Sequence, residues 1–235
     1  MQTKETMMSV KPFAITLDVG TSLANRTGSW RTLKPVYVDR LPPCNAKCPA
    51  GEQCQAWLFH AQSGNYENAW KQIIEDNPFP AVMGRVCYHT CQGACNRNGI
   101  DEPVGINAVE RFLGDYALEK GWQLPVPAAD TGKRILIVGA GPAGLSAAYQ
   151  LRRLGHAVHV VESAEAAGGM MRYGIPKYRL PREVLDQEIA RIAALGVEFE
   201  FGREVKDLNA EMKSAGYDAA FLGAGASLAH RAYIP

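Results

Sequence analysis

Ile135-Leu136-Ile137-Val138 runs directly into Gly139-Ala140-Gly141-Pro142-Ala143-Gly144, and few folds accept that junction. An unbroken apolar strand is the mark of a sheet covered on both faces. Residues 145–154 continue as a helix that stops at Gly155, and residues 157–161 form a second apolar strand closed by Glu162. Strand, glycine turn, helix and strand within about 30 residues make a βαβ unit. A lone GxGxxG is weak; in this setting, with an acid ending the next strand, it reads as a dinucleotide fingerprint. Gly139 permits the tight turn, Gly141 lets a pyrophosphate approach the backbone, and Gly144 lets the helix pack close on the strand. Pro142 and Ala143 stand at the helix start, where unpaired N–H groups face the phosphates. Glu162 can accept from ribose hydroxyls, and no Arg beside it replaces that acid for a 2′-phosphate. The competing reading is a glycine turn that packs helix on sheet without a ligand. A helix over 182–195, a strand over 197–201, a short helix near 207–214 and a strand over 218–222 are expected to follow.

The cysteines lie on the other side of the chain. Cys44, Cys48, Cys54, Cys87, Cys91 and Cys95 all precede the fingerprint. A disulfide scaffold needs an oxidising compartment, and the start Met1-Gln2-Thr3-Lys4-Glu5-Thr6 lacks the apolar stretch of a secretory signal. Structural zinc usually shows Cys-x-x-Cys knuckles, and this chain has none. It has Cys44-x3-Cys48-Pro49 and Cys87-x3-Cys91-x3-Cys95 instead. Three-residue gaps and a Pro after a ligand cysteine suit an iron–sulfur cluster. Buried free thiols are the alternative, and Cys54 fits that description well. With 25 Lys+Arg against 24 Asp+Glu, the chain lacks the basic excess of a nucleic-acid binder. No apolar run approaches the roughly 18 residues of a membrane span. The expectation is a soluble, cytoplasmic protein with no nucleic-acid or membrane partner.

The organisation follows from these two regions. Residues 1–40 show no sustained periodicity and are expected to be an arm lying on another surface, with Trp30, Leu33, Val36 and Tyr37 as its apolar contacts. Residues 51–62 and 66–76 read as short helices, the second stopped by Asn77-Pro78. A third helix begins near Asn107 and ends at Gly121, with Val109, Phe112, Leu113, Tyr116 and Ala117 as its buried stripe. Residues 125–132 form a stiff linker. The expected domains are therefore the arm over 1–40, a helical cysteine module over 41–124, and a Rossmann-type unit over 133–235. The overall class is α+β.

The sequence-specific pieces occur in one order: Pro42-Pro43-Cys44-Asn45-Ala46-Lys47-Cys48-Pro49-Ala50-Gly51, Gly84-Arg85-Val86-Cys87-Tyr88-His89-Thr90-Cys91-Gln92-Gly93-Ala94-Cys95, the fingerprint, and Gly168-Gly169-Met170-Met171-Arg172-Tyr173-Gly174-Ile175-Pro176. The glycine pair after the ribose acid, and the strand running into Gly223-Ala224-Gly225, resemble the flavoprotein disulfide-reductase superfamily. There the first Rossmann unit holds FAD. Taken together, the pieces resemble the small (beta) subunit family of NADPH-dependent glutamate synthase, shared with the N-terminal part of dihydropyrimidine dehydrogenase. The resemblance covers about residues 27–235.

It implies an α-helical ferredoxin-like domain with two [4Fe-4S] clusters, then an FAD domain with an inserted NAD(P)H domain. By motif, Cys48, Cys87 and Cys91 correspond to ligands of the cluster nearer the flavin, and the fourth ligand falls on Glu110. Asn107-x-x-Glu110 also fits a helix capping box, so Glu110 carries two readings. Cys44 and Cys95 correspond to ligands of the farther cluster. Its two upstream cysteines would fall on Val36 and Asp39, which leaves one cluster or two open, with Cys54 as an extra thiol. Cofactor contacts fall on Gly139, Gly141, Pro142, Ala143, Gly144, Glu162, Gly169, Met170, Arg172 and Gly225. The chain reaches Pro235 where the inserted domain would begin, so a fragment carrying only the first half of the FAD domain is expected.

The expected function is an electron-transfer flavoprotein subunit. It passes electrons between NAD(P)H, FAD and iron–sulfur clusters, in a hetero-oligomer with a larger redox-enzyme subunit. No residue set for acid–base or nucleophilic catalysis is evident, and none is required. Two other readings compete: a non-catalytic docking or assembly subunit that retains both modules, and a NAD-binding regulator with a zinc module.

Overall fold

A computed structural model describes residues 41–226. The expected arm, with Trp30, Leu33, Val36, Tyr37 and Asp39, lies outside the described residues, as do His230 and Tyr233 to Pro235. The described residues form one compact unit.

Helices α1 (Pro43–Lys47), α2 (Cys54–Gln62), α3 (Tyr66–Ile73), α4 (Pro80–Val86), α5 (Thr90–Gly93) and α6 (Ile106–Lys120) build the cysteine module, with a 3-10 turn at Asn96–Gly99. The α/β part runs β1 (Arg134–Val138), α7 (Pro142–Arg153), β2 (Ala157–Glu162), α8 (Met170–Tyr173), α9 (Arg182–Ala194), β3 (Glu198–Phe201), α10 (Leu208–Ala215) and β4 (Ala219–Leu222). The four strands are all parallel, in the order β3-β2-β1-β4. β1 is central: Ile135 pairs with Val158 of β2 and with Ala219 of β4. Its side chains Ile135, Leu136 and Ile137 are buried, as the unbroken apolar run requires.

The two parts share one hydrophobic core. Trp70, Ile74, Phe79 and Val82 of the helical part cluster with Leu145, Tyr149 and Leu185 of the α/β part. The linker is bonded down as well. Ala128 N–H donates to Arg153 O at 3.1 Å, and Thr131 N–H to Gly155 O at 3.1 Å. Gly155 is held at φ 86, and a Cβ there would stand 2.1 Å from Ala129 O.

The buried face of α6 differs from the expected stripe. Leu113 and Ala117 are buried, but Phe112 is 46% exposed, and Ile106, Glu110 and Gly114 complete the inner face. The cause is a glycine-mediated crossing. A Cβ on Gly84 of α4 would lie 2.4 Å from Arg111 Cα, and one on Gly114 of α6 would lie 2.3 Å from Ala81 N. The two helix backbones touch at both points, which rotates α6 so that Glu110 points inward. Phe112 instead joins Tyr66 and Tyr116 in an aromatic group with centroids 5.2 and 5.6 Å away.

Candidate cofactor sites

Cys48, Cys54, Cys87, Cys91 and Glu110 line one cavity of about 290 Å³, together with Trp57, Asn77 and Ile106. The local chain explains how they meet. Cys48 is the extended residue that ends α1 (φ −72, ψ 120), and Cys87 ends α4 in the same way (φ −63, ψ 148). Cys54 opens α2 and Cys91 lies in the first turn of α5. His89, the left-handed residue before α5 (φ 58), turns the chain between Cys87 and Cys91, and its N–H donates to Cys87 Sγ at 3.4 Å. Thr90 Oγ1 donates to Lys47 O at 2.8 Å and ties this turn to α1.

The thiols interact with one another. Cys54 donates to Cys48 and Cys91, which raises Cys54; the same bonds lower Cys48 to about 6 and Cys91 to about 7. Burial raises Cys87. Burial also pushes Glu110 well above the carboxylate range, with the Glu52 charge adding to it. Glu52 is raised to about 7 by burial and then by Cys48. Asn77 bridges the two acids, its Nδ2 donating to Glu52 Oε1 at 2.9 Å and to Glu110 Oε1 at 3.0 Å.

The capping-box reading of Glu110 fails. α6 starts at Ile106 with Gly105 as N-cap and no side-chain cap bond, and Asn107 Nδ2 donates instead to Met83 O at 3.2 Å. Glu110 belongs to the cavity. Cys44 and Cys95 do not line it; both are half-exposed, and the Cys44 thiol, raised by burial, also feels Cys91 and Cys95.

Among the described residues no three His, Cys, Asp or Glu side chains close on a single-ion point. A tetrahedral zinc would draw its sulfurs to about 2.3 Å from one centre. Thiols spread around one cavity fit an iron–sulfur core, whose irons lie apart from one another. Sequence reasoning assigned no site role to Glu52, Trp57 or Asn77. Asn77 registered only as the stop of a helix, and nothing local marked the other two.

The second site lies at the C-terminal edge of β1 and β2. Gly139 holds φ 102, and a Cβ there would lie 2.4 Å from Gly223 O. A Cβ on Gly144 would lie 1.9 Å from Gly139 O, so α7 presses on the turn. Gly141 is different: the nearest atom to its Cβ position is Gly169 Cα at 3.9 Å, which leaves the space a pyrophosphate needs. Gly169, at φ 48, closes over the turn, and Gly168 N–H donates to Ala140 O at 2.8 Å. Pro142 occupies the first turn of α7, with Ala143 after it.

Glu162 sits at the end of β2. Its Oε2 accepts from Ala140 N at 2.6 Å and its Oε1 from Ala164 N at 2.8 Å, so this carboxylate braces the turn. Arg172 bonds Ala167 O at 2.5 Å and pairs with Asp186, which fixes the loop beneath Gly168. Met170 projects into solvent, 68% exposed. Gly225 follows β4 at φ 71 with no neighbour near its Cβ position among the described residues.

Residues 39–122 match the family model described as dihydropyrimidine dehydrogenase domain II, 4Fe-4S cluster. Residues 137–190 match the model of an NAD(P)-binding Rossmann-like domain. The chain is 37% identical over 207 residues to the NADP(+)-dependent formate dehydrogenase subunit beta of Moorella thermoacetica, covering 78% of this chain and 29% of that protein. It is 38% identical to the NAD-dependent dihydropyrimidine dehydrogenase subunit PreT of Salmonella typhimurium, covering 79% and 46%. It is 36% identical to the glutamate synthase [NADPH] small chain of Mycobacterium tuberculosis, covering 83% and 40%. The chain thus spans less than half the length of each of these relatives. The cysteine cavity lies within the cluster-domain match and the glycine cradle within the Rossmann match, and the glutamate synthase small chain and the dihydropyrimidine dehydrogenase subunit PreT are homologues of this chain.

Proposed function

We propose that this chain is the iron–sulfur and first flavin-binding portion of an oxidoreductase subunit. The subunit passes electrons between NAD(P)H and a larger partner enzyme in a hetero-oligomer. The observation that carries the reading is the cavity shared by Cys48, Cys54, Cys87 and Cys91, in a helical part that shares a hydrophobic core with the α/β part bearing the fingerprint. The relatives' names point the same way: each is a chain of an NAD- or NADP-dependent redox enzyme.

In this reading Cys48, Cys87 and Cys91 hold one cluster. Gly139, Gly141, Pro142, Ala143, Gly144, Glu162, Gly169, Met170, Arg172 and Gly225 form the FAD site. FAD supplies the conversion between two-electron and one-electron transfer, and the clusters carry single electrons. The protein's own tasks are positional. Gly141 leaves room for the pyrophosphate, the α7 N-terminus offers it N–H groups, and Glu162 accepts from the ribose while holding Ala140. On the cluster side, burial in the cavity keeps water from the thiolates. Cys44 and Cys95 are left for a second, farther cluster.

The test is the visible spectrum of anaerobically purified protein, with iron and acid-labile sulfide assays. Iron and sulfide near four per cluster, a broad iron–sulfur shoulder, and flavin peaks that bleach with NADH or NADPH in the full-length protein are expected. The shoulder without flavin would favour the docking-subunit reading. Stoichiometric zinc without sulfide would overturn the proposal.

A further inference from the structure

We propose that Asn77 is the positioning residue for Glu110: its side-chain amide holds that carboxylate at the cysteine cavity, and retention of the cluster's iron depends on it. This rests on the iron–sulfur reading above and deepens it by adding a residue outside the thiol set.

The argument begins with the sequence. Asn77 stands before Pro78, which disfavours a helical backbone at residue 77 and has no N–H of its own. The helical segment therefore stops there, with Asn77 N–H bonded back to Ile73 O at 2.9 Å. Asn77 Oδ1 accepts from Phe79 N at 2.9 Å, a turn that leads into α4. Asp serves such a turn as well as Asn does, and Ser does so more weakly. Only the amide adds two N–H donors. Both are used: Nδ2 donates to Glu52 Oε1 at 2.9 Å and to Glu110 Oε1 at 3.0 Å. Phe79 N–H requires an acceptor, which fixes Oδ1 toward the turn and Nδ2 toward the two acids.

Glu110 needs that donor. It is 6% exposed, and a buried carboxylate without a hydrogen bond is costly. Among the described residues Asn77 is the one hydrogen-bond donor to it. Asn77 is itself buried, and its loop is held from the α/β part. Tyr149 Oη donates to Ile74 O at 2.6 Å before it, and Glu188 accepts from Ala81 N at 3.0 Å after it. The carboxylate is thus tied to a fixed point while it shares the cavity of Cys48, Cys87 and Cys91. The motif resemblance makes Glu110 a cluster ligand. A group bonded to a ligating carboxylate orients it, and losing such a partner typically costs about 10–100-fold in metal affinity.

The proposal is tested on the full-length protein, reconstituted anaerobically with iron and sulfide. The variants are Asn77→Asp, Asn77→Ala, Glu110→Ala and the double variant Asn77→Ala with Glu110→Ala, with far-ultraviolet circular dichroism to confirm folding. Asn77→Asp keeps the acceptor for Phe79 N and puts an acid where the donor was. The readouts are iron release to a chelator, followed at the iron–sulfur absorption, and the electron paramagnetic resonance spectrum of the reduced protein. Asn77→Asp and Asn77→Ala should each hold iron about 10–100-fold less firmly and shift the resonance of the cluster that remains. In the Glu110→Ala background, which itself holds iron poorly, Asn77→Ala should add nothing, because its partner is already gone. Wild-type iron retention in Asn77→Asp or in Glu110→Ala, or a further loss in the double variant, would overturn the assignment while leaving the iron–sulfur reading intact. Wild-type protein that takes up no sulfide would overturn both.

Discussion

Substituting Ala at Gly84 or Gly114 tests the crossing that brings the two halves of the cysteine cavity together. The added Cβ would stand 2.4 Å from Arg111 Cα in the first case and 2.3 Å from Ala81 N in the second. Carbon contacts are comfortable only near 3.5–4.0 Å, so α4 and α6 must part by about 1 Å. Both obstructing atoms are backbone and cannot rotate away. Overpacking of this kind costs about 1–3 kcal/mol, against a helix-propensity gain of about 0.5–1 kcal/mol from removing glycine. The net loss should be about 1–2 kcal/mol, or roughly 2–8 °C in melting temperature for a chain of this size. The double variant should lose less than the sum, because the first substitution already separates the helices. Parting α4 from α6 also moves Cys87 relative to Glu110, so iron content should fall with stability. Gly99→Ala is the control: no atom among the described residues lies within 4 Å of its Cβ position, and the change should stay within about 0.5 kcal/mol. The measurements are thermal unfolding by circular dichroism and an iron assay. Gly84→Ala and Gly114→Ala as silent as the control would refute the close crossing.

Three further outcomes follow from the same geometry. Gly141→Val should abolish FAD binding in a flavin-fluorescence titration with little loss of stability, since its side chain points into open space, whereas Gly144→Ala should damage the fold itself by meeting Gly139 O. Glu162→Ala should weaken FAD by roughly 10–150-fold, the worth of a charged hydrogen bond, and should also lower the melting temperature because Ala140 N and Ala164 N lose their acceptor. Glu188 is fully buried, and desolvation raises it to about 8 from 4.5 against the pull of Ala81 N, Val82 N and Arg191; the folded state then binds its proton more tightly than the unfolded one, so its contribution is complete below pH 4.5 and is lost as pH rises through about 8. Chemical denaturation between pH 5 and 9 should show that decline in the wild type and a flatter profile in Glu188→Gln; parallel profiles would contradict it.

The α/β half was legible almost to the residue, and for a physical reason. β1, α7 and β2 each have a period or an unbroken apolar run, and glycines punctuate them. The cysteine half was less legible. α1, α4 and α5 have between four and seven residues, too few to show a helical period, and the four-residue α8 of the α/β half escaped notice for the same reason. They exist because tertiary contacts hold them, and that information is absent from any local window. Glu110 shows the same limit. A capping box and an inward carboxylate share one local pattern, and only the rotation imposed by Gly84 and Gly114 separates them. The spacing from Cys48 to Cys54 matches no familiar motif, so a thiol that lines the same cavity as Cys48, Cys87 and Cys91 looked like an extra. Phe112 fitted the apolar stripe by period, but the glycine crossing left no room for it inside.

The way the two halves join gives the cysteine cavity its second support. A helix leaves its first N–H groups and last carbonyls unpaired. Here α3 ends and α4 begins at the boundary with the α/β part, and that part supplies the missing partners. Tyr149 Oη donates to Ile74 O at 2.6 Å, and Arg153 and Gln150 donate to Glu75 O at 2.7 and 2.9 Å. Glu188 accepts from Ala81 N and Val82 N at 3.0 and 3.3 Å. The Arg153 cation faces the carbonyl end of α3 with the sign the helix dipole favours, and the Glu188 carboxyl meets the amide end of α4 as a hydrogen-bond acceptor. The segment between these clamps contains Asn77, the residue that holds both Glu52 and Glu110. One short loop is therefore fixed by α7 and α9 on one side and touches the cysteine cavity on the other. The helix that carries the fingerprint is, through Tyr149 and Arg153, also a support of the cluster wall. The two sites are thus built on a shared frame, and a cofactor seated at the turn before α7 keeps a fixed relation to the thiols.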